Sequence, residues 1–240
     1  MKLRWQNELL TYKDKKGKGY SPTYLKTVNC QLTAIFNYAM RYYNLQDNPC
    51  RKAGAIGKSK GEPKDFWMQE EFNAFLETVS DKPETRMAFL LLYWTGMRIG
   101  EMVLLNKADI NFNERECVVF GKGDKERIVY FDARTKIHLQ NYIDSRTDDN
   151  PALFVTLRSP HERIKIGGIE SRLREMGKRL DIPKVHPHKF RRTLATMAID
   201  KGMPIEQLQQ LLGHKRIDTT LQYAMVKQSN VKQAHRKYIG

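Results

Sequence analysis

A phenol, two imidazoles and a guanidinium gather between residues 186 and 223: His188, Arg191, His214 and Tyr223. Cationic donors of this kind stabilise charge building on the oxygens of a phosphate, and a phenol is an oxygen nucleophile, so the set suits attack on a phosphodiester. Spacing supports that chemistry. His188 and Arg191 are three residues apart, so on a helix both leave the same face and can converge on one oxyanion. His214 ends the run LLGH, and Tyr223 follows nine residues later. Taken singly, each has an ordinary explanation: a histidine near a helix end is commonly a cap or a satisfied surface group, and Tyr223 beside Leu221 and Ala224 suits a half-buried core position. Their co-occurrence in a chain of formal net charge +15 favours chemistry.

These residues need helices to carry them. In HPHKFRRTLATMAIDKGMP, Pro187 fits a first helical turn, and Phe190, Leu194, Met197 and Ala198 recur at helical steps. After Gly202, Pro204 opens a second helix, IEQLQQLL, which Gly213 closes, leaving His214 just past its end. The segment KRIDTTLQYAMV starts a third, with Asp218 and Thr219 as cap candidates and Tyr223 a turn or two beyond. Upstream, Met87 to Trp94 is apolar all round and predicts a buried helix, broken at Thr95 and Gly96. Arg98 comes immediately after it, where its charge must find a partner; Glu101, three residues on, can supply one. The runs ECVVF and RIVYF then switch to strand period around GKGDKE, predicting a β-hairpin whose turn holds Lys122 and Lys125.

Composition narrows the function classes. The chain has 240 residues, 40% hydrophobic, enough for one large or two modest domains with a real core. Lysine plus arginine outnumber aspartate plus glutamate by 42 to 27, and the isoelectric point is near 9.7, a balance expected of a surface that displaces counterions from a polyanion. The longest apolar run, Met87 to Trp94, is too short to span a bilayer, and the start MKLRWQNELL lacks the apolar core of a signal peptide. Cys30, Cys50 and Cys117 show no CxxC pair and no metal-ligand spacing, so the expectation is a reducing, cytoplasmic setting with no bound metal. The acids are scattered among basic segments, which disfavours a nuclease or transposase built on clustered carboxylates and two cations.

The organisation expected is mainly α with a small β-hairpin or sheet, in two domains. Residues 1–55 form a small helical unit: Ser21 and Pro22 start a long helix whose apolar face is Leu25, Val28, Leu32, Ile35 and Ala39, and Asn44 to Pro49 end it. The basic loop KDKKGKGYS precedes that helix. Residues 56–64, poor in periodicity and rich in glycine and lysine, read as a linker, and 65–240 as a mixed α+β domain. Within it, Phe72, Phe75, Leu76 and Val79 form an apolar stripe; residues 132–146 predict an amphipathic helix with Ile137, Leu139 and Ile143 inward; LFVTL predicts a short strand; and 167–180 predicts a basic helix with Arg172, Arg174, Lys178 and Arg179. The tail after Tyr223 is again helix-compatible.

The motifs TGMRIGE, GKGDKER, HxxR and LLGH, followed by Tyr223, together resemble the tyrosine recombinases of the phage-integrase family, most strongly over residues 87–223. That resemblance implies a helical core-binding domain, here short enough to suggest that the sequence begins inside a longer protein, joined by the linker to the catalytic domain so that the two close on duplex DNA. It implies that Arg98 and Arg191 grip the scissile phosphate, that Glu101 buttresses Arg98, and that His214 is a further donor. Tyr223 would be the nucleophile, leaving a 3′-phosphotyrosine, with His188 the leading base. Lys122, with Lys125 as fallback, would reach from the hairpin into the minor groove and protonate the leaving 5′ oxygen. No cofactor is implied. The partners implied are double-stranded DNA and a homotetramer on two DNA sites, with an accessory directionality factor and a C-terminal tail that docks in trans or packs in cis; the setting is the cytoplasm of a bacterium or phage host. Integration and excision of a mobile element ranks first as the role. Xer-like dimer resolution, type IB topoisomerase-like relaxation and a non-catalytic DNA-binding module stand behind it. Two features depart from the usual pattern: Arg192 stands where many relatives have histidine and is a rival to Arg191, and Gly100 and Met102 make the first arginine motif atypical.

Overall fold

The computed structural model describes residues 3–57, 66–79, 83–121, 125–156, 158–182 and 185–224. They divide into two compact units on either side of the boundary between Lys64 and Asp65.

The first unit holds three helices: α1 (Arg4–Thr11), α2 (Pro22–Tyr42) and α3 (Pro49–Ala53). Ser21 caps α2 by accepting the Tyr24 N–H at 3.2 Å, with Pro22 in the first turn where a missing N–H costs nothing. A polar staple fixes the packing: buried Gln6 donates through Nε2 to Asn29 Oδ1 at 3.0 Å and to the Gly54 carbonyl at 2.9 Å. Asn48 caps α3 and donates to the Thr33 carbonyl and Asn37 Oδ1 at 3.0 and 2.9 Å. The inward face of α2 therefore runs through Asn29, Thr33 and Asn37, one helical repeat apart. Ile35, expected inward, lies on the opposite side and is 61% exposed, because the partners of α2 engage polar positions that an apolar count passes over. Asn44, at φ 54°, turns the chain out of α2, and Pro49 starts the next helix as well as ending the loop. Ile56 is buried, and a Cβ on Gly57 would fall 2.8 Å from that of Leu25, so packing of this unit continues past residue 55; 58–64 lie outside the described residues.

The second unit is mostly helical with a three-stranded antiparallel sheet. It comprises α4 (Gln69–Glu77), α5 (Pro83–Thr95), α6 (Ile99–Met102), a 3-10 turn (Lys107–Asp109), β1 (Ile110–Asn111), β2 (Glu116–Gly121), β3 (Lys125–Tyr130), α7 (Ala133–Asp144), α8 (Ile166–Arg179), α9 (Pro187–Asp200), α10 (Ile205–Leu212) and α11 (Ile217–Ala224). The strands lie in the order β1-β2-β3, with Val119 opposite Arg127. The core is aromatic at the junction of α4, α5 and α9: Phe72 stacks on Tyr93 at 3.7 Å between centroids, and Phe190 sets its edge against Trp67 at 4.7 Å. The expected stripe Phe72, Phe75, Leu76 and Val79 is buried, as is α5 from Met87 to Tyr93.

Two local expectations fail for identifiable reasons. The described residues 153–156 of LFVTL do not form a strand: Leu153 and Thr156 send their N–H groups to different segments, Leu105 and Glu162, so no continuous ladder forms there, and only single bridges occur, at Ala152 and Val155. In α7, capped by Asp132 on the Thr135 N–H at 2.8 Å, the buried residues are Thr135, Leu139 and Tyr142, while Ile137 is 61% exposed because it lies two positions off that face. The basic helix is α8; Arg172 donates to the Thr85 hydroxyl, whereas Arg174, Lys178 and Arg179 are exposed. Among the described residues no helix is long and apolar enough to cross a membrane.

Candidate active site

The site is built on the C-terminal end of α10. Leu208 and Leu212 bury one face of this helix, and Gly213, at φ 61° and ψ 46°, turns it off in the left-handed conformation. The N–H groups of His214 and Gly213 go back to the carbonyls of Gln209 and Gln210, at 3.1 and 3.0 Å. That leaves the following carbonyls without helical partners. Three arginines from three other elements take them in order: Arg127 Nε donates to Leu211 O at 3.1 Å, Arg191 Nη2 to Leu212 O, and Arg98 Nη2 to Gly213 O at 3.4 Å. The negative end of the helix dipole is the natural place for such cations.

Arg191 is only 4% exposed. Its other donor, Nη1, reaches the Gly96 carbonyl at 2.6 Å, so this guanidinium sits between the C-terminal ends of α5 and α10. Gly96 is needed there: its φ is 60°, and a Cβ would fall 2.5 Å from Leu194 Cδ2. Burial, then the charges of Arg98 and Arg127, lower the Arg191 pKa to about 10, which leaves it protonated at neutral pH. Arg192, its neighbour, is half-buried, and the guanidinium joining the two helix ends is that of Arg191.

Arg98 is the residue before α6. Its N–H donates to Glu101 Oε2 at 2.7 Å and its Nη1 to Oε1 at 3.0 Å. Arg127 grips the same carboxylate with both ends of its fork, Nη1 to Oε1 and Nη2 to Oε2, each at 2.7 Å. Burial pushes the Glu101 carboxyl up, but the hydrogen bonds from Arg127 and from the Arg98 backbone outweigh it and hold the pKa below the ordinary carboxylate value. Two guanidinium groups thus share one carboxylate, and Arg191 adds a third positive charge, bonded to carbonyls, leaving positive charge for a phosphate.

His214 follows Gly213 directly. Its Nδ1 lies 2.8 Å from the hydroxyl of buried Thr220 on α11, and its ring lies 6.2 Å from that of Tyr223 at an interplanar angle of 16°. Tyr223 is half-buried, packed against the cluster of Ala195, Ala198, Leu208 and Leu212. Because α11 begins at Ile217, Asp218 and Thr219 lie within its first turn and do not cap it; Asp218 pairs there with Arg216 at 2.7 Å. His188 stands one turn before Arg191 on α9, with its side chain at the surface. Partial loss of water around the ring lowers its pKa first, and the charges of Arg191, Arg192 and Arg98 lower it further, so the imidazole is neutral at neutral pH.

The phage integrase family model matches residues 68–230, more than half of the chain and every position just described. The chain belongs to this family: it is a tyrosine recombinase. Tyrosine recombinase XerA of Pyrococcus furiosus is 33% identical over 223 residues, covering 91% of this chain and 75% of XerA. Tyrosine recombinase XerC of Staphylococcus aureus is 32% identical over 179 residues, 71% of this chain and 59% of XerC, so the recombinase spans about three fifths of that relative's length. Among solved structures, the XerA recombinase crystal structure matches with a TM-score of 0.65 at 27% identity, over 99% of this chain and 82% of that one. The Tn1549 transposon integrase in complex with transposon right end DNA shares the fold, with a TM-score of 0.79 at 21% identity over 98% and 84% of the two chains.

In the recombinase, Arg98, Arg191, His214 and Tyr223 come together around the turn after α10, with Glu101 behind Arg98 and His188 within the field of both arginines. Lys122 lies outside the described residues; Lys125 is the first residue of β3, paired in register with Gly121. Arg127 and Thr220 escaped the sequence reading. The signal for Arg127 was in the strand alternation: Ile128 and Tyr130 face water while Val129 is fully buried, so Arg127 shares the buried face. An arginine on a buried face needs acceptors, and Glu101 and the Leu211 carbonyl supply them.

Proposed function

We propose that this recombinase breaks and rejoins duplex DNA at specific sites through a covalent 3′-phosphotyrosine on Tyr223. The observation that carries the reading is the row of three arginines on the carbonyls of residues 211–213, next to His214 and the Tyr223 ring. A phosphodiester seated there has its non-bridging oxygens facing Arg98, Arg191 and His214, which supply the positive charge that the developing transition state needs. The Tyr223 oxygen forms a bond to phosphorus as the bond to the 5′ oxygen breaks. The phenolic proton passes to neutral His188, and Lys122 gives a proton to the departing 5′ oxygen. Attack by a 5′-hydroxyl on the phosphotyrosine runs the same step backwards, so joining needs no nucleotide energy source.

The first unit is the core-binding domain in this reading, with the exposed lysines of its 13–18 loop along phosphates, and a tetramer on two DNA sites exchanges the strands. Integration and excision of a mobile element is one role. XerA and XerC, two sequence relatives above 30% identity, support a second, Xer-like resolution of replicon dimers.

The test uses a pool of nicked duplexes with a randomised central window. The unaltered protein is expected to form an SDS-resistant adduct that Tyr223→Phe abolishes; an adduct undiminished in that variant would reject the nucleophile. With the selected duplexes, products joined from two different DNAs support recombination, and plasmid relaxation alone supports a topoisomerase. Selected sites that match mobile-element ends separate the first role from the second.

A further inference from the structure

We infer that Arg127 is a positioning residue for strand cleavage: it occupies Glu101 so that Arg98 is oriented by the carboxylate without being captured by it. The inference rests on the phosphodiester reading above.

The hydrogen bonds of Glu101 are fully assigned. A carboxylate offers about four acceptor positions. At Glu101, Oε1 accepts from Arg98 Nη1 and Arg127 Nη1, and Oε2 accepts from the Arg98 N–H and Arg127 Nη2. Arg127 makes the two shorter side-chain bonds, at 2.7 Å, in the bidentate form that only a guanidinium provides. Arg98 makes one side-chain bond, at 3.0 Å. Exposure follows the same division, with 11% for the Arg127 side chain and 38% for that of Arg98. The inner arginine neutralises the acid, and the outer one remains open to a ligand.

Arg127 also reaches the other half of the site. Its Nε holds Leu211 O at 3.1 Å, and its stem lies flat against Gly213, where an added Cβ would fall 3.0 Å from Arg127 Cδ. Gly213 precedes His214 and offers its carbonyl to Arg98. One side chain, on the strand that begins at Lys125, therefore fixes the Arg98 loop relative to the turn that presents His214. It acts through Glu101 and that turn.

Without Arg127, Glu101 loses two of its four hydrogen bonds and turns its whole charge on Arg98. Arg127→Gln is then expected to slow adduct formation on the selected nicked duplex by on the order of 100-fold, the effect of about 1 Å of misplacement in a reacting group. Duplex affinity, read by fluorescence anisotropy, should change far less. The discriminating variant is Glu101→Gln combined with Arg127→Gln: removing the carboxylate releases Arg98, so the double variant should cleave faster than Arg127→Gln alone. A purely structural role predicts a double variant no faster than the single one, and that result would overturn the inference, as would an unchanged rate in Arg127→Gln. If Arg127→Gln melts below the assay temperature, Arg127→Lys carries the test, because it keeps the charge and loses the fork: a reduced rate at unchanged affinity supports the inference, and an unaltered rate overturns it. Absence of an adduct from the unaltered protein would overturn the functional reading and the inference together, whereas a normal wild-type adduct with unaffected Arg127 variants would overturn the inference alone.

Discussion

Arg191 is held by backbone carbonyls at two helix ends, so partial dipole charge, and not a carboxylate of its own, offsets the cost of burying it. His188, on the same helix, lies in the field of that unspent charge, and its chemistry follows. A base that is neutral at neutral pH accepts the phenolic proton without first losing one. Its pKa is depressed below the ordinary value of about 6.5, so cleavage should hold steady as pH falls through neutrality and drop only below that value, as the ring becomes protonated. His188→Gln should remove this acid limb and slow adduct formation by about 10²- to 10⁴-fold, the usual contribution of a general base. A pH-rate profile of single-turnover cleavage checks both; an acid limb that persists in the variant would assign it to another group. Of these residues, His188, Arg191, His214 and Tyr223 were legible because their spacing is local. Arg127 and Thr220 were not, because Arg127 finds its partners at Glu101 and Leu211, 26 and 84 residues away, and Thr220 is recognisable only once the His214 ring is seen to turn back onto it.

At the scale of elements, the site depends on where helices stop. Gly96 ends α5 and Gly213 ends α10, both in the left-handed region, and each delivers a carbonyl to an arginine. Gly213→Ala should cost about 1–2 kcal/mol from the backbone alone. It should cost more through the 3.0 Å approach of its Cβ to Arg127 Cδ, seen as a lower midpoint in urea denaturation; an unchanged midpoint would show that the turn is not set by this glycine. Helix period revealed α9 and α10, and a continuous apolar run revealed α5, because their apolar residues are buried, those of α5 and Phe190 in the main core and those of α10 with Ala195 and Ala198 in a second cluster. Helix period misread Ile35 and Ile137, since the buried faces of α2 and α7 run through Asn29 and Thr135, polar residues that no hydrophobic count includes. LFVTL had the composition of a strand, but its backbone partners are split between two segments. The two-residue strand β1 is too short for any periodicity to register.

For the whole molecule, the formal charge of +15 is the dominant long-range fact, and it sets how DNA is met before any chemistry occurs. If the lysines and arginines neutralise about six to ten phosphates, duplex affinity should fall by about 10³- to 10⁵-fold between roughly 50 and 200 mM salt. Anisotropy titrations at several salt concentrations measure the slope; a flat dependence would mean that the charge faces elsewhere. That slope concerns attraction alone, whereas catalysis requires that separate elements deliver their donors and one phenol to the same phosphorus. The most direct test of that convergence is peptide mapping by mass spectrometry of the trapped protein-DNA adduct. The result expected is a 3′-phosphonucleotide on the peptide containing Tyr223, with adduct formation lost in Arg98→Ala and Arg191→Ala that still bind duplex. A nucleotide carried by any other residue, or full adduct formation without either arginine, would contradict it.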